Sequence, residues 1–299
     1  MPDAARVDDD HDCPCPTPQL HVGGPIDSPA STNVETNTKG AARATDTLTC
    51  EPVSLKNFIV TGSLTVEING KMAARKTDFT MHVGPGTITE GSPNVEIGGG
   101  TGGATLGDPD EAGRRCRAMA AGRTSGTISQ SYNNCGIESS RQLINQSGGN
   151  MTEDQLFDWA LDNDHASRET TGKWYNRQTD RRASGGTHPD GRNTILNENG
   201  VAAHTEASSM ENLTQAIAEQ RGVISSHDAN VLWYDRTEAE VAGHAIVPTG
   251  LEYDENGQLK NVILNDTGMG TCQQTMSADQ FQRSLRPGRD LNVTDNPIW

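Results

Sequence analysis

Residues 60–78 read VTGSLTVEINGKMAARKTD, and residues 28–46 read SPASTNVETNTKGAARATD. A shift of 32 sets Val34-Glu35 on Val66-Glu67, Lys39 on Lys71, Ala41-Ala42-Arg43 on Ala73-Ala74-Arg75 and Asp46 on Asp78. Working outward, residues 86–99 (GTITEGSPNVEIGG) repeat the strand half and stop. Residues 2–10 supply the other half, with Ala4-Ala5-Arg6 and Asp9. The pattern A-A-R-x-x-D therefore occurs three times, in units that are circularly offset, as expected when short strands stack around an axis. Alternation of Leu64, Val66 and Ile68 followed by Asn69-Gly70 is the signature of a tight hairpin. These residues predict an all-β repeat domain over residues 1–99.

What the repeats leave over is a set of metal-binding side chains. His11, His21, Cys50 and His82 fall in turns between or just after the repeat strands. Three imidazoles and a thiolate make a closed tetrahedral set suited to structural zinc. A domain with so little apolar content would gain much of its stability from such an ion. Cys13 and Cys15 crowd the same turn, and either could replace one ligand. The A-A-R repeats, His21-Val22-Gly23-Gly24, Cys50 and Met81-His82-Val83-Gly84 resemble the PAAR-repeat family over roughly residues 1–99. The resemblance implies a β-cone seated on the trimeric spike protein of a type VI secretion apparatus, with zinc near its tip. It also implies delivery, because many such proteins carry a C-terminal domain as cargo.

The composition narrows the remaining classes. With 40 acidic and 24 basic residues the net charge is −16, which argues against nucleic-acid binding. No apolar run is long enough to cross a bilayer, and the N-terminus lacks the apolar core of a secretory signal. Six irregularly spaced cysteines suggest reduced thiols rather than a disulfide framework. Residues 98–108, GGGTGGATLGD, read as a flexible glycine-rich linker, and residues 109–124 as the start of a short helix. Linker and helix together occupy residues 100–124. Cys116 reads as a packing residue of that helix and Cys272 as a loop thiol.

Residues 125–299 change to mixed α and β. Cys135 immediately precedes the helical pattern of residues 136–146, where the positive end of the helix dipole favours a thiolate. Gly136 allows a tight turn and leaves room for a substrate carbonyl. Residues 242–251 and 259–266 read as two strands joined through Asp254-Glu255-Asn256-Gly257. His244 and Asp266 lie equally far from that turn, so an antiparallel hairpin brings imidazole and carboxylate side by side. Gln130 is placed to donate to an oxyanion, with Asn133 and Asn134 as competitors. Residues 152–163 and 208–220 read as packing helices, residues 171–200 as a long surface loop, and His227 as the one remaining histidine worth testing.

The segments QSYNNCGIESS (130–140), GHAIVPTG (243–250) and VILNDTG (262–268) resemble papain-like cysteine peptidases, in particular the branch that processes double-glycine leader peptides. The resemblance implies an α+β papain-like fold with Cys135 as nucleophile, His244 as base, Asp266 as orienter and Gln130 as oxyanion donor. Its Gln-to-Cys interval is one residue shorter than usual.

The whole chain thus reads as a multidomain type VI secretion effector made in the cytoplasm. It would be delivered into neighbouring bacteria to cleave a target-cell protein in their cytoplasm, and be restrained at home by a cognate immunity protein. Cys–His deamidation, a transglutaminase-like reaction, peptidoglycan amidase chemistry and a non-enzymatic spike extension are the competing readings.

Overall fold

The computed structural model describes residues 1–14, 22–82, 84–173, 176–237 and 242–299. Two compact units emerge, Met1–Leu106 with Leu251–Lys260, and Gly107–Gly250 with Asn261–Trp299. No helix among the described residues is long and apolar enough to cross a membrane.

In the first unit the three A-A-R-x-x-D segments fold alike. Each aspartate accepts its arginine's backbone N–H, Nε and Nη2: at 2.8, 3.1 and 2.8 Å for Arg6–Asp9, 2.9, 3.0 and 2.8 Å for Arg43–Asp46, and 2.7, 3.0 and 2.9 Å for Arg75–Asp78. A fork that matches a carboxylate on two edges makes arginine the specific choice. The alanines close a ring of backbone bonds, Ala5 N–H to Ala74, Ala74 to Ala42 and Ala42 to Ala5, at 3.0, 2.9 and 2.9 Å. Their methyls pack with Ile26, Leu48, Ile59 and Ile88 in a fully buried core. Ser31, Ser63 and Ser92 each accept the backbone N–H three residues on. The repeated letters are the ones that make the turns.

The glycine-rich stretch is not a flexible linker. Thr101–Gly103 pairs antiparallel with Thr61–Ser63. A side chain on Gly102 would meet Leu64 at 2.4 Å, and one on Gly103 the Tyr253 carbonyl at 1.9 Å. Glycine here permits close packing rather than freedom.

The second unit contains helices α1 (Pro109–Ala118), α2 (Cys135–Gln146), α3 (Glu153–Asp162) and α4 (Pro189–Glu198). Strand β1 (Ala203–Glu206), helix α5 (Met210–Ala218), strand β2 (Arg221–Asp228) and helix α6 (Ala229–Tyr234) follow. The chain ends with β3 (Gly243–Tyr253), β4 (Leu259–Asp266), β5 (Thr271–Ser277), α7 (Ala278–Ser284) and β6 (Leu291–Pro297). The strands line up in the order β1-β6-β2-β3-β4-β5. Ile137, Leu143, Leu156, Phe157, Ile195 and Val247 form its core, so α2, α3 and α4 pack on the sheet through their apolar stripes.

Two expectations fail here. Residues 171–200 are not one long loop, because α4 occupies 189–198: Pro189 opens it and Ile195 and Leu196 are buried beneath it. Cys116 and Cys272 are not separate thiols. They form a disulfide between α1 and β5 with Cα atoms 5.9 Å apart. Gln273 prepares that contact by bonding Asp110 and Arg117 of α1, and it fills the space over Gly113.

Candidate active site

Cys135 is the first residue of α2 and half-buried. Asn134 caps the helix in position only; its side chain makes no cap bond and donates instead to Glu153 at 3.1 Å. The first-turn N–H groups of α2 therefore keep their hydrogen-bonding capacity beside the thiol. Behind the thiol, Glu138 is sandwiched between Arg123 (2.6 Å) and Arg141 (2.6 and 2.8 Å), and all three side chains are at most 1% exposed. Gly136 does not leave space for substrate. A side chain there would strike Thr187 at 1.9 Å, so the space is already filled by the segment leading into α4.

The hairpin arithmetic for His244 and Asp266 holds geometrically. His244 Nε2 lies 2.7 Å from Asp266 Oδ1, with the imidazole 6% exposed. Cys135 lines one cleft with His244 and Ala245, and thiol and imidazole each shift the other's titration. Asp266 is held by more than the histidine. Trp233 Nε1 donates to Oδ2 at 2.7 Å, and the backbone N–H groups of Gly268 and Met269 donate to Oδ1 at 2.8 and 3.2 Å. The Trp233 ring packs on His244 with centroids 4.9 Å apart. Sequence reasoning missed Trp233, since two adjacent aromatics on a six-residue helix carry no spacing signal.

Gln130 is tied to this corner rather than free. Its backbone N–H donates to the Thr267 carbonyl, its Oε1 accepts from the Thr267 hydroxyl at 2.8 Å, and its Nε2 donates to Tyr132 O at 3.0 Å. One hydrogen of Nε2 stays uncommitted in that arrangement. Asn133, and not Gln130, lines the cleft beside Cys135. His227, directly across the sheet from His244, is fully buried between Ser225 and Ser284 at 2.8 Å each. Burial, and then the charge of His244, push it down to about 3, so it is a neutral structural histidine. His204 is held by Asp295 and Glu206 on the surface.

The electrostatics follow from these contacts. Burial alone would push the Cys135 thiol up, but the hydrogen bond and charge of His244 outweigh it and bring the thiol down. Burial disfavours a charged His244, yet bonds to Asp266 and Cys135 push it up to about 10. The two shifts describe one thiolate–imidazolium pair. A thiolate is lost by protonation, so alkylation of Cys135 by iodoacetamide is expected to outpace that of an ordinary cysteine at neutral pH and to slow as pH falls through its lowered pKa. His244→Ala removes the two largest lowering influences and leaves burial opposed only by the Ala245 backbone and the charge of Arg192. Its alkylation midpoint should therefore move up from that of the parent. Superposable pH profiles for parent and variant would refute the pair.

The other cluster lies in the first unit. One ligand atom from each of His11, Cys50 and His82 lies within 4.8 Å of the others. Cys50 Sγ is 3.4 Å from His11 Nε2 and 3.8 Å from His82 Nε2. His11 Nδ1 bonds the Gly24 carbonyl at 2.7 Å, which fixes the ring with Nε2 toward the cluster. Cys13 Sγ sits 3.2 Å from His82 Nδ1. His21 and Cys15 lie outside the described residues.

Comparison with known proteins agrees with both halves. The PAAR motif matches residues 18–85, so the chain carries that motif in its N-terminal part. Among solved structures, a C39-like peptidase from Bacillus anthracis aligns with 54% of this chain and 88% of its own. Identity there is 12% and the TM-score 0.37. No curated protein matches the chain. The model of the Peptidase_C39 like family matches residues 124–286, more than half of the length, and the chain belongs to that family.

Proposed function

We propose that this chain is a type VI secretion effector whose PAAR-motif region docks on the trimeric spike protein and carries a cysteine endopeptidase. The observation that supports the enzyme best is the buried His244–Asp266 bond beside a thiol at the start of a helix. In this reading the Cys135 thiolate attacks the scissile carbonyl. His244 gives its proton to the leaving amine, and a thioester remains on Cys135. Water, deprotonated by His244, then releases the acyl group and restores the thiol. Asp266 holds the imidazole, and Gln130 or Asn133 together with the first-turn N–H groups of α2 receives the oxyanion. A cognate immunity protein covering the cleft would protect the producing cell.

The test is to incubate the full chain with proteome-derived peptides and read masses. New termini that depend on Cys135 mark a peptidase, a shift of about 1 Da without a break marks deamidation, and cross-links mark acyl transfer to amines. Absence of any Cys135-dependent new terminus ends the endopeptidase reading. The destination is a target-cell protein, and the Cys116–Cys272 disulfide favours an oxidising compartment such as the periplasm over the cytoplasm. Toxicity of the chain exported to the periplasm, compared with the same chain held in the cytoplasm, decides between them.

The first unit is proposed to hold zinc. His11, Cys50 and His82 supply borderline-soft donors, and His21, Cys13 or Cys15 would complete four; the ion would be structural. Elemental analysis of the full chain is expected to find one zinc per molecule, lost in Cys50→Ser. Well-folded protein without stoichiometric metal would sink the assignment.

A further inference from the structure

The cleft beside the thiol carries an unexplained charge. It has a volume of about 150 Å³, and Cys135 and His244 line it together with Arg192, Arg286 and Arg289. That is smaller than the roughly 300–1,000 Å³ of sites for drug-sized ligands, so it has room for one side chain of a bound peptide. Arg192 comes from α4 and is 2% exposed. Its Nη2 donates to Ser226 at 2.8 Å, while its buried Nε has no partner among the described residues. Arg286 is anchored by its backbone N–H to the Ser226 carbonyl, and its Nη1 comes within 2.7 Å of where a side chain on Gly243 would start. Only a glycine next to His244 leaves that guanidinium its place.

None of these three arginines forms an ion pair with a carboxylate among the described residues, although the chain has 40 acidic side chains. A buried guanidinium without a counter-charge is unfavourable for folding. Stabilising the thiolate accounts for one positive charge, yet His244 already supplies it. Burial, partly offset by the charge of Cys135, holds Arg192 down to about 10, so it is a cation at neutral pH.

We infer that the cleft of Arg192, Arg286 and Arg289 is a carboxylate-binding subsite, so that the peptidase acts on peptides presenting an anionic group next to the scissile bond. The claim of substrate class rests on the cysteine-peptidase reading; the anion site itself does not. Guanidinium forks match a carboxylate on two edges. The carboxylate comes either from an Asp or Glu side chain or from a peptide's own C-terminus.

Two measurements on the full chain test it. The first needs only the thiol: the rate of Cys135 alkylation by anionic iodoacetate is divided by that of neutral iodoacetamide, read on the Cys135 peptide by mass spectrometry. In each case the thiolate displaces iodide and a carbon–sulfur bond forms. R286Q/R289Q is expected to lower the ratio about tenfold at low salt, and R286K/R289K to retain most of it, because the charge attracts the reagent. Equal ratios in parent and R286Q/R289Q overturn the subsite. The second measurement maps Cys135-dependent cleavages in peptide mixtures with free or amidated C-termini. Enrichment of Asp or Glu at a fixed position identifies the side chain, and loss of cleavage on amidation identifies the terminus. Cleavage indifferent to both overturns the substrate class and leaves the peptidase standing. No Cys135-dependent cleavage at all defeats the peptidase and the substrate class together, while the alkylation ratio still decides the anion site.

Discussion

Cys135→Ala is expected to lower peptide hydrolysis by about 10⁴–10⁶-fold, and His244→Ala by nearly as much. The thiol and imidazole act as one unit, so the double variant should be no worse than either single one. Asp266→Ala is expected to leave more activity, roughly 10²–10⁴-fold below the parent, because it orients and charges the imidazole without touching substrate. Its loss also frees the Trp233 indole, which packs on His244, so the ring would lose its partner and its wall together. Steady-state hydrolysis of a peptide found by cleavage mapping measures all four proteins. A Cys135→Ala enzyme within about tenfold of the parent would remove the cysteine from the chemistry.

The largest stability effect is expected one turn along the same helix. Glu138 neutralises two guanidiniums, and Arg123 and Arg141 each also donate to backbone carbonyls, at Ile128 and Met119 among others. The cluster thus fastens residues 119–128 to α2 and holds the segment that leads into Cys135. Glu138→Ala leaves two buried cations without their counter-charge, which costs about 3–5 kcal/mol. All four tryptophans (Trp159, Trp174, Trp233 and Trp299) lie beyond residue 107, so urea unfolding followed by tryptophan fluorescence reports this unit selectively. Asp279→Ala, which breaks an exposed pair with Arg283, should leave the midpoint nearly in place. Equal midpoints for Glu138→Ala and Asp279→Ala would mean that the buried cluster contributes nothing.

Much of this was legible in the chain because the relevant signals are periodic or local. The A-A-R-x-x-D letters recur, and each fixes a turn within four residues. His244 and Asp266 are related by hairpin arithmetic, which needs only the turn to be found. The rest depends on contacts between distant segments. Cys116 and Cys272 lie in unremarkable surroundings, and nothing local joins them. The helix at 189–198 hides among Asn, Gly and Thr of low helical propensity, and only the burial of Ile195 and Leu196 in tertiary packing reveals it. Arg192 and the Arg286–Arg289 segment come together in three dimensions alone. The glycines at 102 and 103 mislead for a different reason: the same residue serves flexible and close-packed backbone.

The bond between Cys116 and Cys272 spans 156 residues of sequence. It turns the intervening backbone into a covalent ring that contains Cys135, Arg192, His244 and Asp266. The exposed residues 167–173 belong to the same ring. A protease that cuts once there opens the ring and releases nothing, since both new ends stay attached through sulfur. Two cuts are needed to excise a fragment. A singly nicked molecule would keep nucleophile and base on one covalent body, migrating as a single species until a reductant parts the two pieces.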